Sequence, residues 1–246
     1  MESRELDFVI LTATAYEQEI LQNSVGGLAH TILAHRRMNF GQASGKRVAL
    51  VETGIGATNT AQALTAILEG HKVNLVVQLG IAGAFPSSGL EVGDIAVATE
   101  EILGEFGVID DSGWSNGEAI GIPLLDSVPP IYNRIPLEKT VATKSLAAAQ
   151  SLCEKFDNQA RTGSFLTVQN VTGTDEQAQV LDQRFGALCE NMEGAAAAQV
   201  CALYGVPFTE IRGISNRVEK RNLSKWDIPI AASRAQETVL ELIKDA

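Results

Sequence analysis

The sequence predicts an α/β fold in which a mostly parallel sheet is covered by helices on both faces. Three observations predict it. Apolar runs of strand length recur along the chain, several of them end in glycine-bearing turns, and stretches with helical spacing, many rich in alanine, lie between them. Strands that alternate with helices pair in parallel, because each crossover lays a helix on a face of the sheet. At 246 residues, 45% hydrophobic and 20% charged, the chain is long enough to bury such a core and is read as one domain over 1–246.

In chain order, residues 6–14 (LDFVILTAT) are apolar over a strand-like length and then turn polar, and AYEQEILQNSV follows with helical spacing. Residues 46–56 (KRVALVETGIG) make a second strand entering a glycine turn, with a helix through ATNTAQALTAILEG. Residues 73–83 (VNLVVQLGIAG) repeat the scheme, and 93–103 (GDIAVATEEIL) form a further strand. Three more strand-like runs are 164–173, 187–193 and 207–216, with helices through DEQAQVLDQRF, EGAAAAQVCALY and DIPIAASRAQETVLELIKD. Residues 110–139 differ, carrying Gly113, Gly117, Gly121, Pro123, Pro129, Pro130 and Pro136 with little periodicity; they read as a surface insertion of a length that often forms sites. There is no internal repeat.

A net charge of −11 argues against nucleic acid or an anionic membrane as partner, since both need clustered basic residues. No run of about 18 apolar residues occurs, so no membrane span is expected. The N-terminal MESRELDFVILTATAYE has only a short apolar run and no cleavage-like signal, so a cytoplasmic protein is expected. Cys153, Cys189 and Cys201 are odd in number and widely spaced, which makes neither a disulfide framework nor a zinc site. His30, His35 and His71 lie in no motif, and neither a metal nor a cofactor is expected.

Ligands of parallel sheets collect at the carboxyl ends of the strands. Thr12, Thr14 and Glu17 follow the first strand, TGIGATN the second and GIAG (Gly80, Ile81, Ala82, Gly83) the third; the later strands end in QNVTG, in NME, and in Arg212, Ser215 and Asn216. Two carboxylates, a guanidinium, glycines and an amide thus point to one edge. The glycine turns match neither G-x-G-x-x-G nor G-x-x-x-x-G-K-[ST], so no dinucleotide or triphosphate cradle is expected. They serve either as tight turns or as a smooth floor for a sugar. Glu193 is either an exposed first-turn glutamate on the positive end of a helix or a carboxylate accepting both hydroxyls of a ribose. Met192 is a core side chain or an apolar shelf for a flat ring. Glu17 is a helix-surface acid with Glu19 close by, or a desolvated general base. Asn216 ends its strand as a turn residue or reads a ligand.

NMEGAAAAQVCALYGVPFTEIRGIS, GIAG and LEVGDIAVA together resemble the nucleoside phosphorylase and nucleosidase superfamily. Within it the chain most resembles the futalosine hydrolases, with the methylthioadenosine/S-adenosylhomocysteine nucleosidases as their better-known relatives. The likeness covers nearly the whole chain, least at 110–139. It implies a three-layer αβα sandwich with a central mixed, mostly parallel sheet, and a homo-oligomer that cleaves a purine ribonucleoside at its N-glycosidic bond. By the same resemblance Glu17 falls on the base that activates water, Glu193 on the ribose-binding glutamate, Met192 on its apolar neighbour and Arg212 on an arginine near the water. Val171 and Thr172 fall where an aromatic residue and a backbone amide hold the base, and Val171 departs from that aromatic.

Two further departures choose among members. Ile81 stands where phosphorylases carry Ser or Thr, and a branched apolar chain offers an oxyanion no donor. Arg36, Arg37 and Arg47 precede the second strand, away from its carboxyl end, so water is favoured over phosphate. Asn216 stands where adenine-specific relatives have Asp; its NH2 can donate to N7 and O6 of a 6-oxopurine. The resemblance therefore implies hydrolysis of futalosine to hypoxanthine in menaquinone synthesis, with Arg212 and Ser215 helping to hold the water and Trp114, Tyr132 and Arg134 of the insertion available to the carboxyphenyl arm. An adenosine-type nucleosidase, a 6-oxopurine nucleoside phosphorylase and a non-catalytic nucleoside-binding module remain as alternatives.

Overall fold

Strand β1 (Glu5–Thr12) shows why the sheet is buried on both sides. Successive residues of a strand face opposite ways. Phe8 and Ile10 join one apolar cluster, while Val9 and Leu11 join another. A strand apolar on both faces needs a helical layer on each, and the computed structural model, which describes residues 5–246, supplies both. Residues 1–4, the start of the stretch read for a leader, lie outside the described residues.

After β1, a short 3-10 turn at Tyr16–Gln18 leads into helix α1 (Glu19–Ser24), then β2 (Gly26–Leu33), β3 (Arg36–Ala43) and β4 (Lys46–Glu52). Helix α2 (Ala57–Gly70), β5 (Lys72–Ala84), β6 (Ile95–Leu103), β7 (Gly107–Asp110), β8 (Gly113–Asn116) and β9 (Arg134–Pro136) follow. The chain ends with α3 (Lys139–Cys153), β10 (Ala160–Thr167), α4 (Asp175–Phe185), β11 (Cys189–Asn191), α5 (Gly194–Tyr204), β12 (Phe208–Arg217) and α6 (Ile228–Lys244).

The sheet is mixed, in the order β11-β10-β6-β12-β5-β1-β4-β3-β2, with β9 on β6. Around its centre β4, β1, β5 and β12 run parallel, so they end on one edge. Strand β11 also pairs antiparallel with β5, with Glu190 opposite Gly83, so the strands from β5 round to β11 close on themselves. Leu21 of α1, Leu152 of α3 and Val239 of α6 fill one cluster; Leu64 of α2 and Ala197 and Ala198 of α5 fill the other. Asp227 fixes the start of α6 by accepting from the Ile230 N–H at 3.0 Å, a cap that leaves one fewer orphan donor. Cys153, Cys189 and Cys201 are buried free thiols. No helix among the described residues is long and apolar enough to cross a membrane.

Three local differences from the sequence reading have physical reasons. The β2–β3 hairpin was not anticipated, because β2 is an edge strand with almost no buried face and hence no apolar alternation. Strand β10 runs from Ala160 to Thr167 rather than over 164–173: only its last three residues are buried, so the apolar signal was displaced towards the loop. Residues 110–139 are more ordered than a bare insertion. Asn133 is buried, accepts from the Gly117 N–H at 2.6 Å and donates to the Leu103 and Phe106 carbonyls, and Leu125 and Ile135 enter the core.

Helix α6 seats directly on β12. A Cβ built at Gly213 would stand 2.0 Å from the Ala231 carbonyl oxygen, a backbone atom that cannot rotate away. Gly213→Ala is therefore expected to destabilise the protein by about 1–3 kcal/mol, the range for overpacking a dense core, measured as a lower urea midpoint.

Candidate functional site

The 3-10 turn after β1 presents Glu17. It is buried, and its carboxylate meets three donors: Oε2 accepts from the Thr14 N–H at 3.0 Å and hydroxyl at 2.9 Å, and Oε1 accepts from the Ile81 N–H at 3.2 Å. Burial pushes the carboxyl above its ordinary value, and the Arg212 guanidinium works against that rise. Glu19 is exposed, so the two acids separate cleanly. Gly80 makes the approach possible. A Cβ there would lie 2.6 Å from Arg212 Nη1 and 2.7 Å from Glu17 Oε1, so acid and guanidinium meet over a bare backbone.

Glu193 is no surface acid: it is 3% exposed. Helix α5 is capped instead by Asn191, whose Oδ1 accepts from the Glu193 and Gly194 N–H groups at 2.9 and 2.7 Å. The Glu193 side chain is thus free to turn inward. Its Oε1 accepts from the Gly56 N–H at 2.9 Å, in the turn before α2 where φ is +94°, and its Oε2 from Arg212 Nη2 at 3.2 Å. Each oxygen keeps a lone pair for a further donor.

Arg212, 2% exposed, is a hub rather than a loose water ligand. Its Nε donates to Glu210 Oε1 at 2.7 Å and its Nη1 to the Ile81 carbonyl at 3.2 Å, besides the bond to Glu193. Burial pulls its pKa down, but the carboxylates of Glu210, Glu193 and Glu17 hold it above the ordinary value, so it stays charged. Removing one partner of such a buried set typically costs about 3–5 kcal/mol.

Ser215 and Asn216 act on each other. The Ser215 hydroxyl donates to Asn216 Oδ1 at 2.7 Å, and Asn216 Nδ2 donates to the Arg217 carbonyl at 2.9 Å. That carbonyl only accepts, which fixes the amide orientation: nitrogen towards Arg217, oxygen towards Ser215. One amide hydrogen is left. The expectation that both amide hydrogens face a base is corrected to one, and the Ser215 hydroxyl hydrogen is engaged by Asn216.

These side chains line a cavity of about 370 Å³, a size typical of small-molecule sites. Glu17, Glu193, Arg212 and Asn216 border it, as do Met192, Ser215, Val171 and the backbone of Ile81, Ala82 and Gly83. Thr172 does not. Its N–H donates to Glu190 Oε1 at 3.0 Å and its hydroxyl bonds the other oxygen, so its amide is taken. Tyr16, Ile55, Arg221 and Trp226 also border the cavity, beyond the residues the sequence pattern points to. Arg221 and Trp226, 5.1 Å apart as a cation–π pair, sit in the loop leaving β12, and the signal for them was that this loop must start at the site edge.

Two expectations about arginines and the insertion change. Strand β3 runs antiparallel to β4 with Arg37 opposite Glu52, which brings Arg36 to the carboxyl end of β4. There Arg36 bonds Gln62 and Asn59 at 2.8 and 2.6 Å and does not border the cavity. Trp114, Tyr132 and Arg134 do not border it either. Arg134 pairs with Glu100 at 2.7 Å, and Trp114 packs edge-on to Phe185 beside a neighbouring cavity of about 360 Å³ that shares Val171.

The profile of the phosphorylase superfamily matches residues 7–244. A futalosine hydrolase of Thermus thermophilus is 33% identical over 196 residues, covering 79% of this chain and 80% of that protein. A 5′-methylthioadenosine/S-adenosylhomocysteine nucleosidase of a Geobacillus species is 27% identical over 241 residues, covering 97% and 98%. In three dimensions the chain is similar to the nucleosidase of that name from Neisseria meningitidis, solved with methylthio-immucillin-A, with a TM-score of 0.82, 23% identity and coverage of 98% and 99%.

Proposed function

The chain belongs to the phosphorylase superfamily, and on that premise we propose that it is a nucleosidase hydrolysing the N-glycosidic bond of a 5′-modified 6-oxopurine ribonucleoside, with futalosine the substrate and hypoxanthine the base released. The observation that carries the choice of base is the orientation of Asn216. With Oδ1 held by Ser215 and one N–H by Arg217, what Asn216 offers the cavity is a donor. A donor fits O6 of a 6-oxopurine, where a 6-amino group would meet it donor to donor; N7 accepts in both bases, so the discrimination rests on this hydrogen reaching O6.

Glu193 accepts the ribose hydroxyls on its remaining lone pairs and fixes C1′, an orientation effect. The C1′–N9 bond breaks with its electron pair moving to the base, leaving an oxocarbenium-like centre. Asn216 stabilises the charge that grows on the purine. Glu17 takes a proton as water bonds to C1′, and solvent protonates the released base. Arg212 holds Glu193 in place and balances its charge beside Glu17.

A second reading, a methylthioadenosine/S-adenosylhomocysteine nucleosidase, is favoured by relatives of that name spanning nearly the whole chain. One assay separates them: futalosine, inosine and methylthioadenosine are each offered with and without phosphate, and free base is followed. Hypoxanthine from futalosine without phosphate is the expected result. Adenine release alone would establish the second reading, and strict dependence on phosphate would make the enzyme a phosphorylase. Nucleoside bound without release of any base would leave only a binding module.

A further inference from the structure

Beneath the Arg212 hub lie two acids that the reaction above does not use. Glu101, in β6, and Glu210, in β12, are both 0% exposed. Their positions converge on helix α5: a Cβ built at Gly194 would stand 2.1 Å from Glu210 Oε2 and 2.4 Å from Glu101 Oε1, so these two oxygens face each other across the space that glycine leaves open. Glu210 Oε1 accepts from Arg212 Nε at 2.7 Å, but Glu210 Oε2 is buried with no donor in reach. Glu101 Oε2 accepts from the Thr167 hydroxyl at 2.7 Å, and the amide of Asn191 stands 3.3 Å from Glu101 Oε1.

The charges in this space do not balance as carboxylates. Around Glu101 and Glu210 stand Arg212 on β12, the Cys189 thiol on β11, and the neutral Thr167 and Asn191, with Glu193 at the start of α5 bonded to the same Arg212. One guanidinium is already shared by Glu193 and Glu210. Two facing buried carboxylates cannot both stay ionised beside it. A proton on Glu101 Oε1 resolves both problems, since it removes one charge and gives Glu210 Oε2 the donor it lacks.

We propose that Glu101 is a neutral acid donating to Glu210, and that this shared-proton pair is a positioning device which holds Arg212, and through it Glu193, in register for the substrate. The device rests on the nucleosidase reading for its purpose but not for its existence. Burial, and then the charge of Glu210, push the Glu101 carboxyl well above the usual range, in the same direction as the geometry. Glu101 does not itself border the cavity; it acts through Glu210 and Arg212, and through Asn191, which donates to Glu101 Oε1 and borders the cavity.

The test compares Glu101→Leu with Glu101→Gln. Leucine removes the donor, so kcat/KM for the nucleoside is expected to fall about tenfold or more, as misplacement remote from the chemistry does. The conservative glutamine restores part of the loss, because its NH2 donates to Glu210 Oε2 while its oxygen accepts from Thr167; recovery is incomplete because that NH2 also meets the Asn191 NH2 donor to donor. If glutamine is as damaging as leucine, a charge and not a donor is needed, and the proposal is wrong; a fully active leucine variant overturns it too. Infrared difference spectra of the wild type minus Glu101→Gln provide a readout that needs neither turnover nor a folded leucine variant. A protonated-carboxyl C=O band near neutral pH, lost in the glutamine variant, is expected, and its absence overturns the proposal. Should the wild type release no base from any nucleoside, the functional reading fails while this band still decides the pair.

Discussion

Replacing Glu17 with Gln is expected to lower kcat by roughly 10²–10⁴-fold, the usual contribution of a general base, with KM nearly unchanged. The amide keeps the shape of the acid but cannot take a proton from water. It also has one acceptor where Glu17 has two. If its oxygen faces the two Thr14 donors, its NH2 meets the Ile81 N–H, so a stability loss of about 1–3 kcal/mol accompanies the change and is read from the urea midpoint. The wild type should show the matching pH dependence. A base works when ionised, and burial raises this carboxyl above its ordinary value of 4.5. The fall of kcat/KM on acidification should therefore begin at a higher pH than an ordinary glutamate gives, and this limb should vanish in the residual activity of the variant. A Glu17→Gln enzyme with near-wild-type rate would remove Glu17 from the chemistry. Glu19, exposed and outside the cavity lining, offers no substitute base in this arrangement.

What could be read in the sequence follows from where each residue sits on its element. Glu17, Glu193 and Asn216 stand just beyond or at the ends of strands that carry strong apolar runs, so the strand pattern placed them on one edge before any contact was known. Glu101 and Glu210 escaped notice because they lie inside strands, in TEEIL and FTEIRG, where an acid reads as the solvent side of an alternating strand. In β12 there is no solvent side: every residue from Phe208 to Asn216 is buried. The one available signal was the spacing of Glu210 and Arg212, two residues apart and so on the same face, which suits an acid and a guanidinium that bond each other. Arg36 was misplaced for the opposite reason. Chain order alone sets it before the second strand, whereas the antiparallel hairpin folds it back to the far end of β4. A β2 strand with little burial gave no hydrophobic pattern from which that hairpin could be inferred.

Asn216→Asp is expected to shift the ratio of kcat/KM between a 6-oxopurine nucleoside and its 6-amino counterpart by roughly 10–100-fold towards the amino substrate, the range set by about 1–3 kcal/mol per buried group left unpaired. The direction follows from the two contacts that hold the amide. Ser215 donates to Oδ1, and a carboxylate accepts that bond equally well. On the other side the Arg217 carbonyl lies 2.9 Å from Nδ2 and can only accept. A carboxylate oxygen there faces it acceptor to acceptor, so Asp must either hold a proton or swing away. In either state it presents to the cavity an oxygen able to accept from a 6-amino group, which the wild-type amide nitrogen cannot do. Futalosine and its 6-amino analogue make the cleanest pair, because the 5′ arm is common to both and cancels from the ratio. A ratio that stays at the wild-type value would mean that Asn216 is held by Ser215 and Arg217 to shape the end of β12 rather than to read the base. Base discrimination would then have to come from elsewhere around the cavity, with Arg221 the first position to substitute, since it borders the cavity and is stacked on Trp226.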